Sequence, residues 1–125
     1  MIVGIGLDIA SVQRVRAVIA RHGERFVSRI LTAAEREPIA ARLDPTESIA
    51  ARFAAKEALI KALGGPLGLT YHDIQVLREP SGAPRIQLSG AARQLADARG
   101  VGAVFVSLTH DGPVAAAVVI LEGRP

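Results

Sequence analysis

Alternation opens the chain. In Met1–Ala10 the apolar residues Val3, Ile5, Leu7 and Ile9 fall on one face, and Gly4, Gly6 and Asp8 fall on the other. That two-residue period predicts a strand whose second face is bare apart from one carboxylate. Ser11 then fits the N-cap of a helix running to about His22, where Gly23 offers a left-handed stop. Thr32 with Glu35 forms a capping-box pattern for a short helix, and Asp44-Pro45-Thr46-Glu47 repeats the signal ahead of the main helix. The main helix is predicted from about Pro45 to Leu63, ending at Gly64-Gly65-Pro66.

The second half reads mostly as strands. Leu69–Leu77 predicts a strand, Pro80–Pro84 a turn, and Arg85–Leu88 a short strand; Ser89 caps a helix that ends before Gly100. Val101–Thr109 and Val114–Leu121 predict two final strands joined by a tight hairpin at Asp111-Gly112, with Pro113 fitting only the start of its strand or an edge. One strand, then helices, then strands broken by a single helix favours an α+β fold, a mostly antiparallel sheet packed against a long central helix. No repeat or linker interrupts residues 1–125, which predicts a single domain.

Composition narrows the function classes. Half of the residues are hydrophobic but only 3% are aromatic, so the core is built from small aliphatic side chains, and association with further copies would help to stabilise it. The absence of cysteine removes a disulfide scaffold, a thiolate metal site and a cysteine nucleophile. The longest apolar stretches are too short to cross a bilayer, and the N-terminus carries no basic leader, so a cytoplasmic protein without a membrane partner is expected. The net charge of +3 comes almost wholly from arginine, because the only lysines are Lys56 and Lys61. On the first helix Arg14 and Arg21 share a face that Arg25 and Arg29 extend.

Two carboxylates stand out from the pattern. Ile49, Phe53, Glu57 and Ile60 recur at helical spacing on the expected inward stripe of the main helix, which places Glu57 where a core residue belongs. That spacing fits an i, i+4 salt bridge with Lys61 as well as it fits a metal site. Asp8 fits a turn former as well as a ligand, and Gly4 and Gly6 beside it leave room for a backbone or a ligand to approach closely. Taken together, the two are hard oxygen donors of the kind Mg²⁺ takes from proteins, and Arg52, Lys56 and Lys61 line the same helix with cations that suit a phosphate-rich substrate. His110 precedes the hairpin turn, where a solvated or hydrogen-bonded ring is the ordinary outcome.

Three segments in order carry a resemblance. They are Gly4-Ile5-Gly6-Leu7-Asp8-Ile9, then residues 52–64 (Arg-Phe-Ala-Ala-Lys-Glu-Ala-Leu-Ile-Lys-Ala-Leu-Gly), then Ser107-Leu108-Thr109-His110 with the Ala-rich strand after it. With these the chain resembles the holo-[acyl-carrier-protein] synthases, the small type of 4′-phosphopantetheinyl transferase, over essentially its whole length. The resemblance implies transfer of phosphopantetheine from coenzyme A to a serine of apo acyl carrier protein, releasing 3′,5′-ADP, in fatty-acid biosynthesis. It implies that Asp8 and Glu57 ligate Mg²⁺ and that Lys61 contacts the phosphate near the reacting centre. Arg52, Lys56, Gly64, Gly82, Pro84 and His110 would line the coenzyme pocket. Arg14, Arg21 and Arg25 would meet the acidic carrier protein, and three copies would form a homotrimer with each coenzyme site between adjacent subunits.

The chain departs from the family pattern at Ala10-Ser11, at Thr109 and at Tyr71, where a tryptophan or phenylalanine is common. Two rival readings of the residues stay open at this level: a basic nucleic-acid-binding domain without enzymatic activity, and another Mg²⁺-dependent nucleotide or coenzyme A diphosphatase. The near absence of aromatics for base stacking weighs against the first.

Overall fold

The computed structural model describes residues 1–65 and 68–125. Strand β1 (Ile2–Ser11) leads into helix α1 (Val12–His22), capped as expected by Ser11, whose hydroxyl accepts the Arg14 amide at 3.2 Å. Helix α2 (Glu24–Ile30), which the periodicity does not single out, follows at once, because Gly23 at φ 57° turns the chain without a loop. Helix α3 (Ala33–Arg36) carries the full capping box between Thr32 and Glu35. The main helix, α4 (Thr46–Ala62), is started by Asp44, whose carboxylate accepts from both the amide and the hydroxyl of Thr46. Past it Gly64 adopts φ 93°, the left-handed stop expected there, while Pro66 lies outside the described residues.

The remaining elements are β2 (Ile74–Arg78), β3 (Pro84–Leu88), α5 (Gly90–Ala98), β4 (Val101–Asp111) and β5 (Val114–Gly123). The α+β expectation holds, with all strand pairs antiparallel, but the strands divide into two sheets: β1-β5-β4, and the hairpin β2-β3. The strand expected from Leu69 begins only at Ile74. Tyr71–Asp73 instead forms a single 3₁₀ turn, and the Tyr71 carbonyl accepts from Lys56 Nζ rather than from a neighbouring strand. Strand β4 also outlasts its expected end at Thr109, so His110 pairs with Ala115 inside the ladder.

Helix α4 lies directly on the glycine face of β1. A Cβ built on Gly6 would stand 1.8 Å from the Ala58 carbonyl oxygen, and one on Gly4 2.3 Å from that of Ala62. The close approach expected there is therefore made by a backbone, and it requires glycine on the strand. It also corrects the stripe read from periodicity. Ala50, Ala51, Ala54, Ala55, Ala58, Leu59 and Ala62 are buried, whereas Phe53, Glu57 and Ile60 are only half-buried and Lys61 is exposed. Small side chains admit the closest packing, so the alanine face became the core face, and Glu57 stands at the rim.

The other face of β1 is uncovered. Ile5, Leu7 and Ile9 are each more than 60% exposed, and Val3 on β1 and Phe105 on β4 extend the patch across the sheet. No helix among the described residues is long and apolar enough to cross a membrane.

Candidate active site

Asp8 and Glu57 converge where β1 passes under the C-terminal half of α4. The Asp8 side chain is 15% exposed, and its carboxylate accepts from Lys61 Nζ at 2.9 Å; the same ammonium bonds the Leu7 carbonyl at 3.1 Å. Glu57 accepts from the Tyr71 hydroxyl at 2.5 Å. The i, i+4 salt bridge between Glu57 and Lys61 is thus not the partnership formed, since each residue pairs elsewhere. Burial, followed by the hydrogen bond and charge of Glu57, pushes the Tyr71 hydroxyl up to about 12, and the charge of Asp8 contributes in the same direction. Both carboxylates therefore lie within electrostatic reach of one phenol, and Arg29 supplies an opposing positive charge there.

An aromatic row leads away from this point. The Tyr71 and Phe53 rings are 5.8 Å apart between centroids, and Phe53 and Phe26 are 6.4 Å apart. Beyond them a cavity of about 210 Å³, lined in part by Ile9, Arg14, Val18, Phe26 and Phe53, runs to α1. Arg14, Arg21 and Arg25 are all exposed, but Arg25 stands on α2 and so does not extend the α1 face along one helix. Tyr71 and Arg29 are the site residues that sequence reasoning missed. The signal for Tyr71 was its hydroxyl, unique in a chain with one tyrosine, but only the fold shows which carboxylate it reaches.

Lys56 is a correction. Its side chain is fully buried and gives its three donors to Glu35 at 2.7 Å, the Ile30 carbonyl at 2.5 Å and the Tyr71 carbonyl at 3.0 Å. An ammonium has three donors and no more, so none remains for a coenzyme phosphate. Burial lowers its proton affinity, and the Glu35 carboxylate opposes that shift. Helix α4 holds Lys56 here because position 56 belongs to its alanine face, one residue away from the rim on which Glu57 stands.

Arg52 is also buried, at 4% exposure, but it is incompletely satisfied: Nη1 donates to the Ser48 carbonyl at 3.3 Å, while Nε has no partner among the described residues. Burial lowers its proton affinity, with Arg78 and Arg42 adding to the effect and Glu35 opposing it. Such a converging set of guanidinium groups fits an anion. Arg52 and Glu57 are five residues apart, about 140° around the helix, so one chain does not direct both to a single point. His110 Nδ1 lies 3.0 Å from Glu47 at the first turn of α4, on a strand two positions over from β1 and so roughly 10 Å across the sheet. Gly82 takes φ 91° in the β2-β3 turn, its carbonyl accepting from Arg78, and Pro84 opens β3. Gly64 faces the Arg99 guanidinium, 2.8 Å from where a Cβ would sit.

The donor chemistry suits a hard divalent cation. Two carboxylates at a half-buried rim supply oxygen ligands, and the ammonium already on Asp8 shows that the pocket accepts positive charge there. Among the described residues no group of three or more His, Asp or Glu side chains is placed to hold a metal. Mg²⁺ commonly binds through one or two carboxylates, with waters and substrate phosphates completing its shell, so two protein ligands are enough.

Known proteins are similar to this chain along nearly its whole length. The holo-[acyl-carrier-protein] synthase of Maridesulfovibrio salexigens is 45% identical over 124 residues, covering 98% of this chain and 99% of that protein. The crystal structure of the Neisseria meningitidis holo-[acyl-carrier-protein] synthase superposes with a TM-score of 0.90 at 31% identity, covering 98% and 99% of the two chains. The Helicobacter pylori enzyme, solved in complex with coenzyme A, gives 0.83 at 33% identity, covering 94% and 99%. Residues 4–119 match the family model of these enzymes, from the β1 glycines into β5, and the chain belongs to the 4′-phosphopantetheinyl transferase superfamily.

Proposed function

We propose that this chain is a holo-[acyl-carrier-protein] synthase, transferring 4′-phosphopantetheine from coenzyme A to a serine of apo acyl carrier protein in fatty-acid biosynthesis. The observation that carries the reading is the convergence of Asp8 and Glu57 at a rim that also presents Lys61, in a chain of this family. Asp8 and Glu57 would hold Mg²⁺, and the bound ion supplies positive charge to the pyrophosphate of coenzyme A. Lys61, more than half exposed, exchanges its contact with Asp8 for a phosphate oxygen. The carrier serine oxygen bonds to the β-phosphorus as the bridging P–O bond breaks; 3′,5′-ADP leaves with that electron pair, and the serine proton passes to water.

Acyl carrier protein would dock on α1 and the start of α2, where Arg14, Arg21 and Arg25 steer an acidic partner, with its serine reaching the carboxylates past the Phe26–Phe53 row. Subunit pairing supplies what one chain lacks. The uncovered Ile5–Leu7–Ile9 face is where copies of a homotrimer would associate, bringing Arg52, Gly82, Pro84 and His110 of one subunit to Asp8 and Glu57 of the next. The chain acts as a single transferase domain in the cytoplasm.

The test incubates the protein with coenzyme A, Mg²⁺ and an apo acyl carrier protein and weighs the carrier by mass spectrometry. A gain of one phosphopantetheine is expected. No gain across several carriers would sink the proposal, and phosphate release from coenzyme A without a carrier would mark a diphosphatase instead.

A further inference from the structure

The single tyrosine of the chain is held from several sides. Its carbonyl is fixed by the Lys56 ammonium at 3.0 Å, and that ammonium is itself immobilised by Glu35 and the Ile30 carbonyl. Glu35 in turn accepts the Val76 amide at 3.0 Å, tying the middle of β2 to the same buried pair. The next residue, His72, is tethered through Nε2 to the Ser28 carbonyl at 2.5 Å. A tilted contact with the Phe53 ring, at an interplanar angle of 50°, restrains the phenol ring. All these restraints direct one hydroxyl to Glu57 Oε1.

Glu57 needs such a restraint. It stands on the half-buried rim of α4, a long side chain with three rotatable bonds and no salt-bridge partner among the described residues. A free carboxylate there samples several rotamers, and each one that points away from Asp8 lowers the population able to share a cation. We propose that Tyr71 is a positioning residue for Glu57. Its hydroxyl fixes one carboxylate oxygen so that the other faces the divalent cation shared with Asp8, and the buried Glu35–Lys56 pair sets the position of the phenol. The assignment rests on the metal-site reading above. It adds the partner that aims a ligand, a role whose loss in metal sites typically weakens affinity by about 10- to 100-fold.

The experiment titrates Mn²⁺ alone into the full chain without coenzyme A, following free Mn²⁺ by electron paramagnetic resonance, for the wild type, Tyr71→Phe and Asp8→Ala. Tyr71→Phe removes only the hydroxyl and keeps the ring on Phe53, and thermal melting confirms that it folds. Its Kd for Mn²⁺ is expected to rise roughly tenfold, and its apparent metal KM in the transfer assay to rise with it, a defect that excess metal overcomes. Asp8→Ala should lose binding altogether. An unchanged Kd in Tyr71→Phe alongside lost binding in Asp8→Ala overturns the positioning role and leaves the metal site standing. Full Mn²⁺ binding by Asp8→Ala puts the cation elsewhere and overturns both.

Discussion

The only two lysines lie five residues apart on α4, and the fold uses them in opposite ways. Lys61 reaches out of the rim to Asp8, while Lys56 is sealed inside against Glu35. Removing one partner of a buried ion pair leaves the other charge uncompensated, which typically destabilises by about 3–5 kcal/mol. Lys56→Met should therefore lower the unfolding free energy from denaturant titration by that amount, moving the midpoint down with it, and combining it with Glu35→Gln should recover part of the loss. An unshifted midpoint in the single variant would mean that water reaches the pair. Asp8→Ala and Glu57→Ala belong at the same scale with a different outcome: each should abolish transfer while melting near the wild type, because both side chains stand at a rim. Carrier mass spectrometry reads the first effect and circular dichroism the second. Asp8, Glu57 and Lys61 were legible in the sequence as misfits or rarities, but their partners were not, since no spacing rule pairs a strand carboxylate with a lysine more than fifty residues away.

At the scale of elements, the contact that builds the site is α4 against β1. The two backbones meet at Gly4 and Gly6, and this proximity sets Lys61 over Asp8. Gly6→Ala would drive a methyl group into the Ala58 carbonyl, and because backbone cannot move aside as a side chain can, about 3 kcal/mol of overpacking is expected. The denaturant midpoint should fall accordingly, and transfer should weaken even where the variant stays folded; a neutral Gly6→Ala would show that the helix can lift off without consequence. Caps and stops were readable here because Ser11, Thr32, Asp44 and Gly64 act on groups within a few residues. The buried side of α4 was not. A stripe of larger residues marked Phe53, Glu57 and Ile60, but the alanines opposite fit the glycine strand and took the core.

For the molecule as a whole, the open question of packing is the uncovered face of β1. Ile5, Leu7 and Ile9 expose enough apolar surface that covering each is worth about 1 kcal/mol or more. Ile5→Glu should leave the chain folded but convert the proposed trimer to monomers in size-exclusion chromatography with light scattering, with transfer lost in parallel. A variant that elutes as the wild type does would place the subunit contact elsewhere. The sequence by itself determined the α+β class, most element boundaries, the arginine face of α1 and the misfit of Asp8 and Glu57 with their surroundings, because each depends on local period, local capping or a residue type out of place. Only the tertiary structure decided that Lys56 is internal, that Arg52 is buried, that β1 shows its apolar side to solvent and that the Tyr71 hydroxyl bonds Glu57. These depend on which surfaces pack most closely, and that is a property of distant segments meeting.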